Sequence, residues 1–242
     1  MKVSYYEHVR PIFQAKCQGC HQPAKAQSGY IITEVSSLIA GGDSSEAVVP
    51  TKPAESYLIE MVTQQEGDDR PAMPPQGDPL TSYELSLVTH WIEQGALDDT
   101  PTNAKLRYNK DHPPQYSVPP IVTSMDYSPN GDLLAIAAFH EVRLHKADST
   151  ELVARLVGLS ERIETVRFSS DGEYLAVAGG LPGRMGELQI WDVSEQELVL
   201  SKPVGYDTAY GASWSPDGNF IAVGLPANTL LAIKGSSGEP PR

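Results

Sequence analysis

The chain has 242 residues and a formal net charge of −13, with 18 Lys and Arg against 31 Asp and Glu. The acidic excess is spread over both halves, which argues against a nucleic-acid or anionic-membrane partner, because phosphate binding rests on basic side chains. An apolar fraction of 40% is enough for a buried core in one large domain or two ordinary ones. The longest apolar run, Leu133 to Phe139, falls far short of the roughly 18 residues that would span a bilayer.

The opening residues, MKVSYYEHVRPIF, hold no apolar core or small-residue cleavage site, so they do not read as a secretory signal. Ser4 and Glu7 have capping-box spacing, and Val9, Ile12 and Phe13 share a face. A helix, kinked or restarted at Pro11, is therefore expected to lead into Cys17. Both cysteines of the chain follow in CQGCH: Cys17, Cys20 and then His21. Cys-x-x-Cys-His is the attachment pattern of c-type haem. Two thiols about one helical turn apart can form thioethers with the porphyrin vinyl groups, and the adjacent imidazole reaches the iron. A redox disulfide would want a βαβ setting, which this helical pattern does not offer. A structural zinc would need a second pair of ligands, and none lies near in sequence. The residues thus favour one covalent haem c held by Cys17, Cys20 and His21.

A further helix is expected over SYLIEMVTQ, beginning near Pro53 to Ser56, with Leu58, Ile59 and Val62 inward. Beyond it RPAMPPQGDPL supplies Met73, whose following Pro74 and Pro75 keep it off the helical region and make a stiff strap. Met73 is the candidate second axial ligand, while Met61 reads as part of the helix, and His8, His90, His112, His140 and His145 read as non-ligands. Thr81 and Glu84 form a capping box ahead of a stripe of Leu85, Val88, Trp91 and Ile92, with Gly95 as the stop. Residues 1–97 are therefore expected to be an all-α haem domain. Residues 98–120, rich in proline, read as a semi-extended linker.

From residue 121 three segments resemble one another: MDYSPNGDLLAIAA, VRFSSDGEYLAVAG and ASWSPDGNFIAVGL. Their turn glycines, Gly131, Gly172 and Gly218, recur at roughly 40–45 residues, the period of propeller blades. Each segment reads as a hairpin followed by a third strand near Glu141, Glu187 and Thr229. The Gly-rich run from Gly179 to Glu187 reads as a long interstrand loop. Residues 121–242 resemble the WD-repeat β-propeller family, with a Trp-Asp pair only at Trp191-Asp192 and Gly158-Leu159 in place of Gly-His. Three repeats do not close a ring. The chain is therefore expected to be a piece of a longer one, or a part that assembles with another chain.

Taken with VRPIFQAKCQGCH, VVPTKPAESYLIEMV and RPAMPPQGDPLTSYELSLVTHWIEQGA, the whole resembles planctomycete-type c-type cytochrome domains fused to WD-repeat propellers. One departure is Thr51, where that family often has Gly. The resemblance implies an all-α cytochrome c-like domain followed by an incomplete all-β propeller of about three repeats. It also implies covalent haem c through Cys17 and Cys20, with His21 and Met73 as axial iron ligands. The expected function is electron transfer rather than catalysis, with redox partner proteins and a further protein partner on the propeller face. The alternative is a haem-containing interaction scaffold or sensor. Haem attachment of this type implies a periplasmic or otherwise extracytoplasmic location, which the opening residues do not explain.

Overall fold

Thr81 and Glu84 cap the longest α-helix. The Thr81 hydroxyl accepts from the Glu84 N–H at 3.2 Å, and the Glu84 carboxylate accepts from the Thr81 N–H at 2.7 Å. Two donors that a first turn leaves open are thereby satisfied. At the other end Gly95 takes φ 98°, and the N–H groups of Gly95 and Ala96 return to the carbonyls of Ile92 and Trp91. That left-handed closure favours a residue without Cβ. Between the caps Leu87, Val88, Trp91 and Ile92 are buried, so Leu87 takes the core position expected of Leu85.

The computed structural model describes residues 2–105, 108–226 and 229–234, and the chain divides into two units, residues 1–106 and 107–242. The first unit holds α1 (Arg10–Lys16), α2 (Val35–Ala40), α3 (Tyr57–Val62) and α4 (Ser82–Glu93), with a π-helical turn over Tyr5–Val9. Their apolar faces meet in one core that includes Val9, Phe13, Leu38, Leu58, Val88 and Trp91.

The all-α expectation is overturned. β1 (His21–Gln22) and β2 (Lys25–Ala26) pair as an antiparallel ribbon directly after the second cysteine, and α2 and α3 have only six residues each. The physical reason is punctuation: Pro50, Pro53, Pro71, Pro74, Pro75 and Pro79 stop the apolar period before a second long helix can propagate. Across the described residues thirteen strands in four sheets stand beside four α-helices, so the chain is predominantly β.

In the second unit, β3 (Met125–Tyr127), β4 (Leu133–Ala137), β5 (Val142–Lys146) and β6 (Leu152–Leu156) form one antiparallel sheet. The next comprises β7 (Arg162–Phe168), β8 (Tyr174–Leu181), β9 (Met185–Asp192) and β10 (Glu197–Gly205), and the third β11 (Gly211–Trp214), β12 (Phe220–Leu225) and β13 (Thr229–Lys234). No closed propeller forms among the described residues, which corrects the propeller half of the expected fold: three sheets in series leave the first and last unjoined. The repeated Ser and Asn/Asp explain the hairpins. Ser128, Ser169 and Ser215 accept the N–H of Leu133, Tyr174 and Phe220 at 2.9–3.0 Å and donate to Asn130, Asp171 and Asp217. The following glycines carry φ 78°, 77° and 70°, which suits a residue without Cβ.

The Gly179–Glu187 run is not a long loop. β8 and β9 pair out to Leu181 and Met185, leaving three residues in the turn. Its glycines serve close backbone approach: a Cβ on Gly179 would lie 2.2 Å from the Arg162 carbonyl oxygen, and one on Gly186 would lie 2.2 Å from that of Asp207.

Candidate functional site

The last turn of α1 delivers the cysteine segment. The Cys17 N–H bonds the Phe13 carbonyl at 2.9 Å, and the N–H groups of Cys20 and His21 both return to the Cys17 carbonyl at 3.2 Å. Residues 17–21 therefore make a tight turn that β1 and β2 close. It is fastened from below, where the Ile32 N–H bonds the His21 carbonyl at 3.1 Å.

His21 is held by one ring nitrogen. Its Nδ1 lies 3.3 Å from the Tyr30 carbonyl oxygen, and the Tyr30 ring meets the imidazole edge-on at 5.2 Å. The Tyr30 hydroxyl in turn donates to the Leu38 carbonyl at 3.0 Å. With Nδ1 donating to a carbonyl, Nε2 is left with its lone pair for a metal. Burial pulls the His21 pKa below its ordinary value, which keeps the ring neutral, as a ligand must be. Burial likewise pushes the Cys17 thiol up to about 12, against the opposing pull of Lys16, and both cysteines are free thiols.

Cys17, His21 and Met73 line one cleft together with Phe13, Ile32 and Leu58. The cavity within the cleft is about 180 Å³, smaller than the ~300–1,000 Å³ of small-molecule and cofactor sites, and it opens to solvent on one side. Ser28, Asp43, Ser44 and Ser45 give it a polar edge. Cys20, half-buried, lies on the turn but does not line the cleft.

Sequence reasoning missed three supports of this site. Met61 lines the same cleft, and its carbonyl accepts the Met73 N–H at 2.8 Å. Arg70 donates to the carbonyls of Pro74 at 2.6 Å and Gly77 at 3.0 Å, holding the strap. Lys16 donates to the carbonyls of Pro79 at 2.9 Å and Asp78 at 3.3 Å, and it pairs with Glu84 at 3.5 Å. Only a basic residue near a Pro-rich loop hinted at these contacts. The second unit holds a network equally invisible in sequence: fully buried Glu187 accepts from Ser160, Gln189 and Ser201, and Gln189 accepts from the Trp191 indole.

Residues 17–77 match the family described as Planctomycete cytochrome C. The matched stretch contains the cysteine turn, the lining helix α3 and the Met73 strap. The chain is also 29% identical over 107 residues to the mouse protein "Periodic tryptophan protein 2 homolog", covering 43% of this chain and 11% of that protein. Among solved structures it is similar to Kuenenia stuttgartiensis hydrazine synthase, with a TM-score of 0.47 and 20% identity, covering 56% of this chain and 38% of the other. The chain thus spans about a tenth of the curated relative and well under half of the structural neighbour. No helix among the described residues is long and apolar enough to cross a membrane.

The donor set fits a haem. It offers two unpaired thiols on one turn, a neutral imidazole tethered through Nδ1, and a thioether on a separately anchored loop, all in a segment that matches a cytochrome family. Among the described residues no three His, Cys, Asp or Glu side chains gather as metal ligands, so the zinc alternative finds no donor set there.

Proposed function

We propose that the first unit carries one haem c and serves as an electron carrier. When bound, haem supplies reversible one-electron exchange at its iron, and His/Met ligation favours that role over oxygen or substrate chemistry. Cys17 and Cys20 would tether the group by thioether bonds, so that a small unit retains it without a deep pocket. His21 offers Nε2 because the Tyr30 carbonyl occupies Nδ1, and this hydrogen bond fixes the ring plane and raises its basicity. Met73 offers sulfur from a segment whose own N–H bonds the Met61 carbonyl and whose following residues are held by Arg70 and Lys16. Phe13, Ile32, Leu58 and Val62 exclude water from the cleft, which favours the less charged state of whatever redox group it encloses.

The observation that carries this reading is the convergence of Cys17, His21 and Met73 on one apolar cleft inside the segment matched to the cytochrome family. Redox proteins are the proposed partners, with the sheet unit as a docking module. An extracytoplasmic location follows from where such haem attachment takes place.

The test is mass spectrometry of chain produced with an export signal and the haem-maturation system. A haem adduct is expected on the peptide spanning Cys17 and Cys20, and unmodified thiols would refute the assignment. Met73→Ala should then abolish the weak near-infrared sulfur-to-iron band; survival of that band would transfer the ligand role elsewhere. Reversible reduction by a mild donor separates the carrier from a haem-bearing scaffold, which would exchange no electrons.

A further inference from the structure

Apolar side chains dominate the cleft that His21 and Met73 share, and a single formal charge sits at its edge. Asp43 is the one Asp, Glu, Lys or Arg among the lining residues. It lies on the loop that leaves α2, where Gly42, Ser44 and Ser45 line the cleft beside it. None of the ion pairs among the described residues includes Asp43. No cation at ion-pair distance therefore offsets its charge there.

The backbone ties this loop to the turn that holds the candidate ligands. The Asp43 N–H bonds the Ser28 carbonyl at 2.9 Å, and the Gln27 N–H bonds the Cys20 carbonyl at 3.1 Å. Residues 27–30 thus stand between the cysteine turn and the Asp43 loop, and the Tyr30 carbonyl oxygen lies 3.3 Å from His21 Nδ1. Asp43 is anchored to the same short turn that tethers the imidazole.

Two glycines make that approach close. A Cβ on Gly29 would lie 2.5 Å from Asp43 Oδ1, and one on Gly42 would lie 2.3 Å from the Ser28 carbonyl oxygen. Gly29 also takes φ 65°, a conformation that suits a residue without Cβ. Side chains at either position would push the loop off the turn and carry the carboxylate with it.

We infer that Asp43 tunes the reduction potential of the bound haem, holding it lower than the two axial ligands and the apolar cleft alone would set it. The inference rests on the haem reading above. Reduction adds one electron to the iron, so the ferric state carries one more positive charge than the ferrous. A fixed negative charge at the cleft edge attracts that extra charge and favours the ferric state, acting through apolar lining that screens it less than water would. Asp43 itself is exposed, so salt reaches it and weakens the attraction. It touches no candidate ligand; it acts on the haem by its charge alone.

The test is a potentiometric titration, followed by visible absorption, of full chain produced with an export signal and the haem-maturation system, with the haem adduct read first by mass spectrometry. At the ambient potential that leaves the wild type half reduced, Asp43→Asn should lower the ferric-to-ferrous ratio about threefold, a rise of ~28 mV at ~59 mV per tenfold. Asp43→Glu restores a carboxylate and should recover most of that shift, which a merely structural role for the loop would not produce. Glu93→Gln removes an equal charge from the exposed end of α4, outside the cleft, and should leave the potential in place. High salt should shrink the Asp43→Asn shift. With the adduct present, a potential that Asp43→Asn leaves unmoved or lowers overturns this inference alone. A shift that Asp43→Glu fails to recover, or an equal shift from Glu93→Gln, does so too. A chain without the adduct overturns the haem reading and this inference together.

Discussion

Thr51 occupies a backbone position made for glycine, and Thr51→Gly is expected to stabilise the first unit. The Lys52 N–H returns to the Val49 carbonyl at 3.0 Å, with Pro50 and Thr51 between them and Thr51 at φ 70°. Proline followed by a positive φ is the type II turn, whose third position favours Gly. A side chain with Cβ pays about 1–2 kcal/mol in this left-handed region. Glycine gives back about 0.5–1 kcal/mol through the greater freedom of its unfolded chain. The Thr51 side chain is exposed and its N–H bond to the Ile92 carbonyl at 2.8 Å survives the change, so nothing else is lost. The net gain is about 0.5–1 kcal/mol, which should slow the slowest-exchanging amides of α4 about 2–5-fold. Hydrogen exchange with mass spectrometry on the full chain reads this directly. Thr51→Ala keeps the Cβ and should recover much less. Equal gains from Ala and Gly, or no gain from Gly, would refute the argument that the Cβ is what strains the turn.

Thr81→Ala removes one half of the α4 capping box and should cost about 1 kcal/mol, seen as a lower denaturation midpoint and faster exchange in the turn around Glu84. Lys16→Met keeps the apolar stem but removes the donor to the Asp78 and Pro79 carbonyls and the partner of Glu84; a loss of about 1–3 kcal/mol is expected, with exchange accelerated over residues 76–80, and unchanged exchange there would deny Lys16 its role as an anchor. Asp217 is held down to about 2, first by the Ser215 hydroxyl and then by Asn219. Its folded pKa lies below its unfolded one, so the support it gives the β11–β12 turn is complete above pH 4 and is lost as pH falls toward about 2. Ser215→Ala should move the Asp217 midpoint up toward the ordinary carboxylate range in an NMR titration, and an unmoved midpoint would show that the hydroxyl is not the main cause.

What the sequence disclosed was what local chemistry determines. CQGCH, the Met-Pro-Pro strap, the Thr81 box with its Gly95 stop, and the repeated Ser-x-Asn/Asp-Gly turns all act over a few residues, so the residue types alone announce them. The all-α first unit failed because β1 and β2 have two residues each, too short for any period to register. The strands β6 and β10 were not foreseen, because neither is bounded by a turn signal as clear as those of the hairpins. The glycines from Gly179 to Gly186 misled because close backbone approach and loop flexibility call for the same residue. Met61 and Tyr30 were invisible as members of the site because tertiary packing brings them to it, whereas Arg70 acts on its own neighbours Pro74 and Gly77, a role that its residue type alone does not announce.

Lys16 shows how these distant choices meet at the cleft. It sits beside Cys17, at the end of the helix that delivers the cysteine turn, and its ammonium reaches two carbonyls of the strap that follows Met73 as well as Glu84, the residue that completes the α4 cap. The side chains of Lys16 and Glu84 are only 17% and 24% exposed, so the pair is shielded more than a surface ion pair, and its hydrogen bonds to carbonyls keep the buried charge satisfied. One cation therefore ties the imidazole side of the cleft to the thioether side and to the helix that closes the unit. Arg70 does the same for the first half of the strap from its own neighbourhood, through Pro74 and Gly77. The strap that follows Met73 is thus held by two charged side chains that do not line the cleft, and a substitution at either one is expected to shift Met73 without changing any candidate ligand.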